Sequence, residues 1–221
     1  MARKLKAVIF DLDGVITDTA RLHFAGWKRL ADEIGVPFTK EDNEGLKGVS
    51  RLDSLKRLLG SRVGDFTDEQ LDEMAERKNG YYVGLLASLS PEDLLPGAAQ
   101  LVSGINDAGI RVVLASASKN TRRILKQLSI TDWFEKIVDG NAFSRSKPDP
   151  EVYQLSCNLI GILPAAAVVV EDALAGVEAG KAAGCATLGV GQPENLGLAD
   201  LVVPDLTAVD VDILRALIEK E

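Results

Sequence analysis

Six short apolar runs recur along the chain, at Ala7 to Phe10, Ile110 to Ala115, Ile137 and Val138, Ala167 to Val170, Ala186 to Val190, and Leu201 to Val203. They are rich in β-branched residues and are separated by stretches with helical punctuation. Alternation of this kind predicts an α/β fold, in which one parallel sheet is covered by helices on both faces. Asp149 followed by Pro150 marks an N-cap with proline at the first helical position, opening a helix over Glu151 to Ile160 that ends at Gly161. Gly97 to Ala108, closed by Gly109, and Ala173 to Ala183, closed by Gly184, end in the same way.

From about Ala20 to Ser88 the alternation stops, and only helical periodicity separates the first strand from the second. This predicts an inserted α-helical cap, dividing the chain into a core of residues 1–18 and 89–221 and a cap of residues 19–88. Phe24, Trp27, Leu30, Ala31 and Ile34 mark the apolar face of a first cap helix ending at Gly35. Ser50 with Asp53 resembles a capping box for a second helix, and Thr67 with Gln70 is a better one for a third. Pro91 and Pro96 mark the return to the core. The crossings near Asp18 and Thr19 and near Ser88 to Pro91 would let the cap swing over the sheet.

Composition narrows the partners. With 221 residues, 46% of them hydrophobic, the chain can bury one good core and a smaller appendage. A net charge of −8 argues against a nucleic-acid or anionic-membrane surface, because such partners need a basic face. Cys157 and Cys185 are the only cysteines and lack zinc-ligand spacing, so a reducing cytoplasm fits better than a disulfide scaffold. The N-terminal MARKLKAVIF has too short an apolar run for a secretory or membrane segment. A cytoplasmic monomer acting on small molecules is the expectation.

Open parallel sheets bind ligands beyond the carboxyl ends of their strands. The first strand delivers Asp11 and Asp13 there, two residues apart, so an extended backbone points both carboxylates the same way. The second delivers Ser116 and Ser118, then Lys119 and Asn120 at the start of a helix, where hydroxyls, amides and a cation suit an anion. Lys147 follows in SKPDP, and VVVEDA delivers Glu171 and Asp172. Four converging carboxylates repel one another unless a hard cation shares them, and Mg²⁺ suits an oxygen-only site. Lys147 supplies a fixed positive charge for phosphoryl oxygens. A carboxylate can be the nucleophile, and its neighbour can serve as general acid and base.

With the motifs DLDGV, SAS, Lys147–Pro148 and ED on the page, the chain resembles the haloacid dehalogenase superfamily, whose catalytic core is a Rossmann-like parallel sheet. Within it, FDLDGVITDTARLHF, LKGVSR, RKN and SASKN resemble the β-phosphoglucomutase family. That resemblance implies Asp11 as nucleophile and Asp13 as acid/base, with Ser116 and Lys147 completing the catalytic set. It implies Mg²⁺ on Asp11, the backbone carbonyl of Asp13, and Asp172, with Glu171 nearby. Lys47, Gly48, Val49, Ser50 and Arg51 match cap residues that contact the sugar phosphate, Arg51 gripping the phosphate that is not transferred. Thr19, His23 and Lys78 match residues that couple sugar binding to cap closure and to the posture of Asp13. Ser116, Ala117, Ser118, Lys119 and Asn120 match the core-side phosphate contacts. The implied reaction interconverts β-glucose 1-phosphate and glucose 6-phosphate, with β-glucose 1,6-bisphosphate as phosphoryl donor and intermediate. Pro37 to Glu44, Gly60 to Asp65 and Asp139 to Arg145 follow no family pattern.

Taken singly, each residue has an ordinary explanation. A DxD after a strand is often a turn, ED before a helix a cap, and Lys147 or Arg51 a surface charge. His23, the only histidine, would more often be a half-buried side chain. Lys78 falls in the middle of an apolar stripe of Leu71, Met74, Tyr82 and Leu85, where a lysine either snorkels or finds an anion. It is the ordered set at strand ends that argues for phosphoryl transfer. The alternatives are a sugar-phosphate phosphatase on the same core, in which water attacks the aspartyl-phosphate, and a non-catalytic binding protein. A basic grip on the cap favours the mutase, because a phosphatase need hold only one phosphate.

Overall fold

The computed structural model describes residues 4–219; Met1 to Arg3 of the N-terminal segment and the last two residues of the expected core lie outside the described residues. β1 (Ala7–Phe10) is followed by α1 (Ala20–Glu33), α2 (Lys40–Glu44), α3 (Arg51–Leu59), α4 (Asp68–Leu85), α5 (Ala98–Asp107) and β2 (Arg111–Ala115). Then come α6 (Thr121–Leu128), β3 (Lys136–Val138), α7 (Glu151–Leu159), β4 (Ala167–Glu171), α8 (Leu174–Ala183), β5 (Ala186–Val190), the short α9 (Pro193–Leu196), β6 (Leu201–Val203) and α10 (Val211–Ala216). The strands lie where the apolar runs predict them.

All six strands pair in parallel, in the order β3-β2-β1-β4-β5-β6. The chain builds outward from β1 through β2 and β3, then returns to the other side of β1 with β4. That reversal opens a crevice between the carboxyl ends of β1 and β4. Alternate residues of β1 serve opposite faces of the sheet. Val8 and Phe10 pack with Leu101 and Ile105 of α5, Ile124 of α6 and Leu214 of α10, whereas Ala7 and Ile9 pack with Val152 and Cys157 of α7 and Ala179 of α8.

The segment between β1 and β2 has its own apolar cluster. Trp27 and Leu30 of α1, Leu55 and Leu59 of α3, and Leu71 and Met74 of α4 meet in it. Leu22 and Tyr82, towards the outer ends of α1 and α4, join the cluster of the sheet instead. The capping box of Thr67 and Gln70 forms at the start of α4. At α3, Ser50 accepts from the Asp53 N–H but donates to the Asp53 carboxylate at 2.6 Å, so only half of the expected box is made. The sequence reading missed α2, which Thr39 and Asp42 cap reciprocally.

Three further details differ from expectation. Pro150, not Asp149, occupies the N-cap of α7, and the Asp149 carboxylate accepts the Glu151 N–H at 2.9 Å. Gly97 lies before α5 as its N-cap. Leu85 is 36% exposed, so the apolar stripe of α4 stops at Tyr82. Cys157 and Cys185 are buried and unbridged, and both belong to the apolar cluster on one face of the sheet. Among the described residues, no helix is long and apolar enough to cross a membrane.

Candidate active site

Asp11 is the residue that β1 hands on, and its N–H bonds to the Val170 carbonyl of β4 at 2.9 Å, which sets the carboxylate at the switch between the two strands. The N–H of Asp13 donates to Asp11 Oδ2 at 3.0 Å, and Lys147 Nζ donates to Oδ1 at 2.5 Å. The same ammonium donates to Glu171 Oε1 at the end of β4, an oxygen that also accepts Tyr153 Oη at 2.5 Å. Glu171 Oε2 accepts the N–H groups of Asp172 and Ala173 at 3.1 and 3.2 Å. Glu171 is wholly buried, and a charge is tolerable there only because both oxygens are engaged. The face of the Tyr153 ring, 5.1 Å from Lys147 Nζ, adds a cation–π contact.

Asp11, Glu171 and Asp172 each bring a carboxylate oxygen within 4.8 Å of the others. Two glycines permit this crowding. A Cβ on Gly14, whose φ is +81°, would fall 2.1 Å from Asp172 Oδ2, and a Cβ on Gly176, in the first turn of α8, would fall 1.9 Å from Glu171 Oε1. An oxygen-only cluster at the floor of a crevice fits a hard divalent cation such as Mg²⁺. Asp11 and Asp172 are the better donors, because each oxygen of Glu171 already accepts two hydrogen bonds whereas each oxygen of Asp11 accepts one. The Asp13 side chain points elsewhere: Thr19 Oγ1 donates to its Oδ1.

Above this floor lies a cavity of ≈ 670 Å³. Asp11, Asp13, Ser116, Ala117, Ser118, Lys119, Asn120 and Asp172 line it from the sheet, and His23, Lys47, Gly48, Val49, Ser50, Arg51 and Lys78 from the helical segment. Lys147 and Glu171 sit beneath the floor and Thr19 behind Asp13, all buried. The loop after β2 winds up through its own hydroxyls, with Ser116 Oγ accepting the Ser118 N–H and Ser118 Oγ accepting the Asn120 N–H, each at 3.2 Å. Lys47 crosses the cavity to Asp172 Oδ2 at 3.3 Å and also pairs with Glu44 at 2.9 Å. The Arg51 guanidinium pairs with Glu76. Lys78 does not snorkel: it is 2% exposed, with Nζ 2.9 Å from His23 Nδ1 and 4.5 Å from the centre of the Trp27 ring.

Burial dominates the electrostatics. It holds the Asp13 carboxyl well above the usual carboxylate range, and the charges of Asp11 and Asp172 push it the same way. Asp11 rises to about 6 through burial, opposed by Lys147. Burial would strip the proton from Lys147, but the carboxylates of Asp11 and Glu171 outweigh it and keep the ammonium charged. His23 is held neutral by burial first and by the positive charges of Lys78 and Arg51 after it. Nδ1 therefore accepts from Lys78, and Nε2 carries the proton without a partner.

Residues 5–184 match the model of the haloacid dehalogenase-like hydrolases. The chain belongs to that family. It is 42% identical over 213 residues to the β-phosphoglucomutase of Bacillus subtilis (strain 168), covering 96% of this chain and 94% of that protein. A crystal structure of β-phosphoglucomutase from Clostridium difficile matches with a TM-score of 0.93 and 39% identity over 96% of each chain. A phosphorylated carbohydrates phosphatase of Thermotoga maritima is 30% identical over 183 residues, 81% of this chain and 82% of that protein.

The sequence reading did not name several residues that frame this cavity. Tyr153 shares the buried face of α7 with Val152, Ser156 and Cys157. A tyrosine on such a face needs a partner for its hydroxyl, and that was the available signal. Glu76, Asn79 and Phe143 line the cavity too. Glu76 and Phe143 carried no signal, since one reads as an exposed helix charge and the other as core.

Proposed function

We propose that this chain is a β-phosphoglucomutase, converting β-glucose 1-phosphate to glucose 6-phosphate through an aspartyl-phosphate on Asp11. The observation that carries the reading is the two-sided cavity, with cationic and polar groups on the helical segment facing a phosphate-sized polar loop on the sheet across one carboxylate floor. A substrate that bears a phosphate at each end in turn needs a grip for the far phosphate, built from both walls, besides the floor that takes the transferred one. The strong similarity to two β-phosphoglucomutases supports it.

In this reading phospho-Asp11 gives its phosphoryl group to the C6 hydroxyl of β-glucose 1-phosphate, forming β-glucose 1,6-bisphosphate. Asp13 takes the hydroxyl proton as the P–O bond forms. The intermediate turns over and returns its C1 phosphate to Asp11, with Asp13 giving the proton back to the leaving oxygen. A group held largely protonated by burial suits this second half, and the hydroxyl of Thr19 fixes its posture. Lys147 stays cationic beside Asp11 and offsets charge on the phosphoryl oxygens. Mg²⁺, held by Asp11, Asp172 and the backbone carbonyl of Asp13, supplies further charge neutralisation when bound. Arg51 and Lys47 on one side, and Ser118, Lys119 and Asn120 on the other, hold the phosphate that is not transferred, while Ser116 serves the one that is. Residues 19–88 act as a cap that excludes water while Asp11 is phosphorylated.

The test is a Mg²⁺-dependent assay with β-glucose 1-phosphate and a trace of the bisphosphate, following glucose 6-phosphate and free phosphate together, with the α-anomer as control. Glucose 6-phosphate from the β-anomer alone, without matching free phosphate, is the expected result. Phosphate released in step with substrate loss would make the chain a phosphatase, like its Thermotoga maritima relative. Asp11→Asn is expected to abolish phosphoenzyme formation, and Lys147→Ala to abolish transfer even at saturating Mg²⁺.

A further inference from the structure

Arg51 and Asn120 belong to opposite walls of the cavity, yet one continuous polar chain joins them. The Arg51 guanidinium donates to Glu76 Oε1, Glu76 Oε2 accepts from Asn79 Nδ2 at 3.4 Å, and Asn79 Oδ1 accepts from Asn120 Nδ2 at 2.8 Å. Glu76 and Asn79 lie three residues apart on α4, hence on one face, and both line the cavity. An ordinary surface pair of arginine and glutamate contributes little. This one is different in place: the Arg51 side chain is only 19% exposed, and its partner carboxylate, although 70% exposed, is tied onward through Asn79 to the sheet side. A guanidinium has five N–H donors, so Arg51 can bond Glu76 and an anion together. The pair of Asn79 and Asn120 is also a bridge between cap and core, and the other bridge over this cavity, Lys47 to Asp172, reaches the metal-binding floor.

We propose that Glu76 and Asn79 are positioning residues that set the spacing between the cap-side and core-side phosphate grips and hold the cap shut while phospho-Asp11 is exposed to the sugar. The proposal rests on the mutase reading above. Neither residue need touch the reacting atoms. Asn79 fixes the cap against Asn120, and Glu76 aims Arg51 at the phosphate that Asn120 also holds. With the bridge cut, the cap opens more often and water competes with the sugar for the aspartyl-phosphate.

The experiment measures free phosphate released per glucose 6-phosphate formed, with Mg²⁺, β-glucose 1-phosphate and a trace of the bisphosphate, in wild type, Asn79→Ala, Glu76→Gln and the double variant. Asn79→Ala is expected to raise that ratio about tenfold and to lower kcat/KM by about the same factor, with Glu76→Gln moving both the same way by less. The double variant should be no worse than Asn79→Ala, because both changes interrupt one chain. Thermal midpoints are read alongside. A lowered midpoint with an unchanged ratio would mean a merely structural asparagine and would overturn the proposal, as would an unchanged ratio at an unchanged midpoint. If wild type itself releases phosphate in step with substrate loss, the mutase reading fails, and the bridge is judged by calorimetric binding of β-glucose 1-phosphate to Asp11→Asn. Binding weakened about tenfold by Asn79→Ala supports the bridge, and unchanged binding overturns it.

Discussion

Single side chains here carry charge where water cannot reach, and Lys78 is the clearest case. Burial pulls its ammonium down to about 7, repulsion from Arg51 adds to this, and Asp13 opposes it. The folded value lies below the unfolded value near 10.5, so the unfolded chain binds the extra proton between those limits and stability rises with pH across that window. Below it both states are charged, and the folded state bears the whole penalty, on the order of several kcal/mol. Lys78→Met is therefore expected to be more stable than wild type below pH 7, with the gap closing as pH approaches 10.5, in denaturant melts at a series of pH values. Activity should fall, since His23 loses its donor. Tyr153 makes the opposite case, a neutral group that steadies charged ones. Tyr153→Phe keeps the ring but removes the hydroxyl from Glu171; it should lower kcat about tenfold, leave KM nearly unchanged, and destabilise by about 2 kcal/mol in urea unfolding. The pairing of His23 with Lys78 shows why sequence alone leaves such residues open. Periodicity places Lys78 on the apolar face, but whether its head escapes depends on Trp27 and His23 of another helix.

Elements differ in how they meet their neighbours, and glycines record the difference. Gly80 is exposed in the middle of α4 with nothing near its missing Cβ, so Gly80→Ala is expected to stabilise by about 1 kcal/mol through helix propensity. Gly176 lies against Glu171, and Gly176→Ala should destabilise by about 1–3 kcal/mol while removing most activity, because the carboxylate must shift or the first turn of α8 must lift away. Thermal melts and the mutase assay on both variants check the pair. At this scale the strands were legible because each is a short run rich in β-branched residues bounded by turn signals, although β2 and β3 open on Arg111 and Lys136. The capping box at Thr67 was legible for the same reason, its signal being local. The start of α2 was not read, although Thr39 and Asp42 form the same reciprocal cap, because the five residues behind it, KEDNE, carry no apolar periodicity. That Cys157 and Cys185 would share one apolar cluster was equally hidden, since it depends on how α7 packs against the sheet.

For the whole molecule, the site is a meeting of two bodies of residues, and only one half was readable from its own pattern. The sheet half is a set of strand ends, so its residues follow from topology alone. The helical half has no such rule: Lys47, Arg51 and His23 were placed by resemblance, and only the folded chain brings them over the carboxylates. The insertion has a further consequence, for the order of folding. The central strand pairs Ala7 with Arg111 and with Ala167, across the entire cap and more, so the sheet is built from contacts of long sequence separation that form slowly. The cap closes its own apolar cluster within residues 27–75, and its loops are short. Pulse-labelled hydrogen exchange during refolding should find amides of α1 and α4 protected before those of β1. As the chain leaves the ribosome, β1 emerges first yet must wait, unpaired and wholly apolar, until β2 arrives. The early cap occupies the intervening chain and leaves β1 as the exposed segment most in need of a chaperone.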